Sequence, residues 1–165
     1  MIKIAIVDDN LFLQKTVQEK LSFFEDVEIK SKSLNGKELL QKLEKNSNLD
    51  LILMDIEMPE MNGVEATAEV KKRYPHIKIL MLTVFDNDEK IFKSIKAGAD
   101  GYLLKEINPQ ELYNSIKETL SGGAAMTPSI ALKTLKLLRE PQVFETEEEK
   151  EKITLTAREI QVLEQ

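Results

Sequence analysis

Short apolar runs alternate with amphipathic stretches along residues 1–122. Ile2–Val7, Leu51–Met54, Ile77–Leu82 and Gly101–Leu104 read as strands, with Val27–Ser31 a weaker fifth. The stronger runs are continuously apolar rather than alternating, which is the pattern of strands covered on both faces. Between them the apolar positions recur at helical spacing: Leu13, Val17 and Leu21, then Leu39, Leu40 and Leu43 within Gly36–Lys45. Gly63–Arg73 predicts a helix stopped before Pro75, and Asp88–Ala97 one closed by Gly98. Asn108-Pro109-Gln110-Glu111 supplies a cap, a proline at N1 and a glutamate at N3, and Leu112, Ile116 and Leu120 follow on one face. Gly122-Gly123 ends that helix.

Five β-α units of this kind predict an α/β fold, a doubly wound parallel sheet with helices on both faces. In such sheets ligands bind outside the carboxyl ends of the strands. Those ends carry the candidate chemistry. The first strand stops at Asp8-Asp9, the third at Asp55, the fourth at Thr83 and the fifth at Lys105. Taken singly, Asp8-Asp9 reads as a helix cap, Thr83 as a strand-end hydroxyl and Lys105 as a surface lysine. Brought to one rim, they make a site.

Composition narrows what that site can be. The chain lacks cysteine and holds one histidine, His76, so thiolate and multi-histidine metal sites are excluded. His76 falls in a loop before the fourth strand, away from the rim. Grouped carboxylates repel one another unless a cation joins them. An all-oxygen donor set suits Mg²⁺, or Mn²⁺. A carboxylate can attack phosphorus to give an aspartyl phosphate, a transfer that depends on positioning and charge neutralisation. The net charge of −6 argues against nonspecific attraction to nucleic acid. No run approaches a membrane span and no secretory leader is legible, so a cytoplasmic protein without membrane partners is expected.

The runs Val7-Asp8-Asp9, Leu53-Met54-Asp55-Ile56-Glu57-Met58-Pro59, Leu82-Thr83 and Leu104-Lys105 resemble the receiver domain of bacterial two-component response regulators. Met61-Asn62-Gly63 and Ala97-Gly98-Ala99-Asp100-Gly101-Tyr102 extend the resemblance. It implies a flavodoxin-like sheet of order 2-1-3-4-5. It also implies that Asp55 is the phosphoacceptor, served by a sensor histidine kinase, and that Asp8, Asp9, Asp55 and the backbone carbonyl of Glu57 hold Mg²⁺. Lys105 would pair with a phosphoryl oxygen. Thr83 would turn toward the phosphate while Tyr102 turns inward, biasing a dimer face on the fourth helix, fifth strand and fifth helix, or on the first and fifth helices. Val84 follows Thr83 and is bulkier than the alanine common there.

Beyond residue 122 the chain predicts a linker over 123–152 with one helix, begun by Thr127-Pro128 with Ile130, Leu135 and Leu138 along one side. Glu145–Lys152 reads as a solvated charged stretch. Leu155-Thr156-Ala157-Arg158-Glu159-Ile160-Gln161-Val162-Leu163 resembles the start of the helix-turn-helix of NarL/FixJ (LuxR-type) regulators, so 153–165 is expected to be a truncated DNA-binding domain. DNA binding is then expected of a full-length parent and not of this chain. Two other readings compete. One is a phosphatase with an Asp nucleophile and Glu57 as acid/base; the other is a pseudo-receiver that only docks partners.

Overall fold

The central strands form where the chain is almost continuously apolar, whereas the border strand Val27–Ser33 is largely polar. The computed structural model describes residues 1–139. Its elements are β1 (Ile2–Val7), α1 (Leu11–Leu21), β2 (Val27–Ser33), α2 (Gly36–Lys45), β3 (Leu51–Met54), α3 (Gly63–Arg73), β4 (Lys78–Thr83), α4 (Asp88–Ala97), β5 (Gly101–Leu104), α5 (Pro109–Leu120) and α6 (Pro128–Arg139). All strand pairs are parallel, in the order β2-β1-β3-β4-β5. This is the doubly wound five-stranded sheet that the apolar runs predict.

Neighbouring residues of one strand feed opposite cores, which is why the runs carry no alternation. Ala5 and Val7 join Ile52, Met54, Leu39, Val70 and Ile91 on the side of α2, α3 and α4. Ile4 and Ile6 join Leu51, Leu53, Val17, Leu21, Leu112 and Ile116 on the side of α1 and α5. Burying a side chain of this size contributes roughly 1.5–3 kcal/mol.

Helix starts are fixed by asparagine. Asn10, Asn35, Asn62, Asn87 and Asn108 cap α1 to α5, each side chain accepting the N–H three residues on. Such caps contribute about 1 kcal/mol each. Asn62 and Glu65 close a reciprocal capping box at α3. Because each helix follows a strand's carboxyl end, these caps also fix the loops that carry the rim residues.

Three details depart from expectation. β2 runs to Ser33, two residues beyond its predicted end, and β4 starts at Lys78 rather than Ile77. In α6 the inward residues are Ile130 and Leu137, whereas Leu132, Leu135 and Leu138 are exposed. Just before α6 the Thr127 hydroxyl accepts the Leu104 N–H at 3.1 Å, and the helix packs against α4 with Ile130 and Leu137 turned to the core. The charged stretch and the helix-turn-helix resemblance of 153–165 lie outside the described residues. Among the described residues no helix is long and apolar enough to cross a membrane.

Candidate functional site

The strand ladders continue one residue past the strands and so pin the rim residues by their own backbones. Asp8 N–H donates to the Ser33 carbonyl at 3.0 Å, Asp55 N–H to Val7 at 2.9 Å and Lys105 N–H to Thr83 at 2.9 Å. Carboxylate oxygens of Asp8, Asp9 and Asp55 lie within 4.8 Å of one another. The Lys105 ammonium bridges two of them, at 2.6 Å from Asp8 Oδ2 and 3.1 Å from Asp55 Oδ2. Asp8 and Asp55 are buried, while Asp9 is exposed at the mouth.

One ammonium does not neutralise three carboxylates. Burial pushes the Asp55 carboxyl above its usual range and Asp8 adds to this, against Lys105 and the Ile56 N–H, which pull it down. The Ile56 N–H donates to Asp55 Oδ1 at 2.8 Å and the Asn10 N–H to Asp8 Oδ1 at 2.9 Å, so one oxygen of each carboxylate is oriented by the main chain. With only oxygen donors and an excess of negative charge, the cluster suits a hard divalent cation.

Thr83 is buried, its hydroxyl accepting the Phe85 N–H at 3.3 Å. Tyr102 is fully buried with its hydroxyl donating to the Phe85 carbonyl at 2.6 Å. The ring is therefore already inward with no phosphoryl group on Asp55, whereas the resemblance implies that it turns inward in step with Thr83. Burial, then Asp86 and Asp55, push its phenol well above the ordinary range, so it stays a donor. The Glu57 carboxylate pairs with Lys90, and Lys90 lies 4.4 Å over the Phe85 ring. Val84 is 60% exposed, so its bulk faces solvent rather than the core. His76 is exposed at the amino end of β4, opposite the rim.

Residues behind the rim escaped the sequence reading. Gln14, not Leu13, is the buried residue at the start of α1. Its amide donates to the Asp8 carbonyl at 2.7 Å and the Ser33 carbonyl at 2.8 Å. Lys20 donates to the carbonyls of Lys105 at 3.0 Å and Ile107 at 2.9 Å. One helix thus holds the backbone at both ends of the Asp8–Lys105 pair. Gln14→Leu should destabilise the protein by about 1–3 kcal/mol, because it takes the side-chain donor from the buried Asp8 carbonyl, while the Ser33 carbonyl keeps the Asp8 N–H. A urea midpoint equal to wild type would show that the Asp8 carbonyl finds another donor.

Gly63, which ends the Met61-Asn62-Gly63 run, meets Asp55 itself. A Cβ built there would lie 1.9 Å from the Asp55 carbonyl oxygen, and its N–H donates to the Ile56 carbonyl at 2.7 Å. The start of α3 therefore packs directly on the main chain of Asp55.

Residues 4–117 match the response regulator receiver domain, and the chain belongs to that family, in its LuxR-type branch. It is 34% identical over 160 residues to the transcriptional regulatory protein DegU of Brevibacillus brevis, covering 97% of this chain and 66% of DegU. Identity is also 34% over 160 residues to the response regulator protein VraR of Staphylococcus aureus strain COL, covering 95% of this chain and 76% of VraR. A LuxR-family two-component response regulator from Aurantimonas sp. SI85-9A1 superposes with a TM-score of 0.77 at 25% identity, over 84% of this chain and 98% of that one. The chain thus spans about two thirds of DegU and three quarters of VraR.

Proposed function

We propose that this chain is a phosphorylation-controlled switch in which Asp55 accepts a phosphoryl group from a sensor histidine kinase. The observation that carries this is the joint placement of Asp8, Asp9 and Asp55 around Lys105, with carboxylate oxygens within 4.8 Å of one another. An Asp55 oxygen attacks phosphorus in line, and the P–N bond of the donor phosphohistidine breaks as the new O–P bond forms. The electron pair of the broken bond stays on the imidazole. Ile56 N–H fixes one Asp55 oxygen. The other oxygen, now bonded to Lys105, is the natural nucleophile, and Lys105 passes from it to a phosphoryl oxygen. Thr83 turns its hydroxyl to another phosphoryl oxygen, giving up the Phe85 N–H.

Asp8, Asp9, Asp55 and the Glu57 backbone carbonyl would hold Mg²⁺, and Mn²⁺ suits the same oxygens. The ion supplies the positive charge that the cluster lacks and that a transferring phosphoryl group needs. Acetyl phosphate with Mg²⁺ should label the wild-type chain, and neither Asp55→Asn nor a sample treated with chelator. Equal labelling of wild type and Asp55→Asn would sink the assignment.

The domain acts by switching and not by turnover of a small substrate. In this reading phosphorylation promotes a homodimer and controls transcription in the cytoplasm through a DNA-binding domain whose start is the LuxR-like run near residue 153. Residues 1–122 form the receiver and 123–152 the linker in this reading. Belonging to the same family as the transcriptional regulator DegU supports it.

A further inference from the structure

The sheet edge at β5 is closed by the chain's own continuation. Tyr102 N–H donates to the Ala125 carbonyl at 2.9 Å, and Thr127 N–H donates to the Tyr102 carbonyl at 3.2 Å. Met126 thereby pairs with Tyr102 as a parallel bridge. At Gly101 a Cβ would lie 2.4 Å from the Ala125 carbonyl oxygen, so the strand and the tail touch main chain to main chain. α6 then lies against α4, and Ile130 is fully buried in the same cluster as Tyr102, Ile91 and Leu104.

A second connection reaches the β4–α4 loop. Lys133 donates to the Asp86 carbonyl at 2.7 Å and lies 3.6 Å from the Asp86 carboxylate. Asp86 follows Phe85, whose carbonyl holds the Tyr102 hydroxyl and whose N–H is held by Thr83. Thr83 is thus linked to the tail by two short paths, one through Phe85 and Tyr102 to residues 125–127, the other through Asp86 to Lys133.

We propose that α6 and its lead-in residues 125–127 are the element of this chain that reads Asp55, docking on the α4–β5 face most tightly when Asp55 is phosphorylated. This rests on the phosphoacceptor reading given above. Turning Tyr102 outward would break its bond to Phe85, disturb the peptide that pairs with Ala125 and Thr127, and open a cavity beneath Ile130. A cavity left by a ring of that size is costly in proportion to its volume. The inward ring and the docked helix therefore stabilise one another, and whatever favours the inward ring favours docking. The occupant of the α4–β5 face is this chain's own tail, so a second copy could use that face only by displacing α6.

Coupling of this kind is reciprocal. Hydrogen exchange on the full chain, with and without beryllofluoride and Mg²⁺, reads it in one direction. The Thr127 and Ala131 amides should exchange about 5-fold more slowly with beryllofluoride, the lower end of ordinary coupling. In the other direction, Ile130→Asp should weaken beryllofluoride binding by about the same factor. Lys133→Met, a half-buried position whose loss spares the core, should weaken it in the same sense. Unchanged or faster exchange at Thr127 and Ala131, with wild-type affinity in Lys133→Met, would overturn the coupling while Asp55-dependent binding preserves the phosphoacceptor reading. If no beryllofluoride response is removed by Asp55→Ala, both fall together.

Discussion

Gly63→Ala should lower phosphoryl incorporation at Asp55 by about 100-fold, far more than its single added methyl suggests. The new Cβ would meet the Asp55 carbonyl oxygen at 1.9 Å and its carbonyl carbon at 2.8 Å. Both neighbours are backbone, and they belong to the residue whose side chain must react. Relief takes roughly 1 Å of movement, a displacement that can cost two orders of magnitude in rate when reacting groups are involved. Either the α3 start lifts, breaking the Gly63–Ile56 hydrogen bond, or Asp55 shifts away from Lys105. Overpacking of this sort also destabilises by about 1–3 kcal/mol. Acetyl phosphate labelling beside a urea melt separates the two effects. A labelling rate near wild type in a folded variant would mean that the Asp55 main chain is not held as tightly as this contact requires.

Asp55→Asn should make the metal-free protein more stable, with a melting temperature higher by roughly 3 °C for each kcal/mol of relieved cost of burying the charge. The Asp55 carboxyl is raised in the folded state, first by burial, with Asp8 adding to it. A raised folded value means that the protonated form favours the fold. That stabilisation is complete below the unfolded value near 3.8 and is lost as pH rises through the raised folded value. The melting temperature of the Asn variant should therefore gain on that of wild type as pH is brought up from about 4. Mg²⁺ should raise the wild-type melting temperature and act more weakly on the variant, which has lost one of the carboxylates. A variant less stable than wild type at neutral pH would mean that the Lys105 bond outweighs that cost.

Much of this could be read before any coordinate was known, and the reasons are local. Leu51-Ile52-Leu53-Met54 has no polar position to face water, so a strand covered on both sides is the only easy outcome. Asp8, Asp55, Thr83 and Lys105 were legible because each interrupts such a run, and a parallel sheet carries all four interruptions to one side. Gln14 and Lys20 were not legible. Their partners are backbone carbonyls, which leave no trace in residue type, and the helical spacing pointed to Leu13 where Gln14 is the buried residue. β2 was cut short because its last residues, Lys32 and Ser33, are polar on a strand that borders the sheet. The spacing groups Leu135 and Leu138 with Ile130, yet both are exposed, because spacing gives a helix's face only broadly and not which way it is rotated. The rotation goes with tertiary contacts that residue type does not announce, among them the burial of Ile130 and the bond from Leu104 to Thr127.

The pairing of residues 125–127 with β5 also bears on how this sheet avoids joining another. An open sheet has two unpaired borders, and each is a template for a foreign strand. On the β2 side the ladder is interrupted opposite Ile4 and Ala5, and Lys30 and Lys32 stand exposed, so an incoming strand meets an irregular, charged border. The β5 side has no such guard. Gly101-Tyr102-Leu103-Leu104 is short but carries no charge to repel an incoming strand. Its protection is the segment that leads into α6, so the same few residues that lie beside Tyr102 also keep an adhesive border out of reach of other chains.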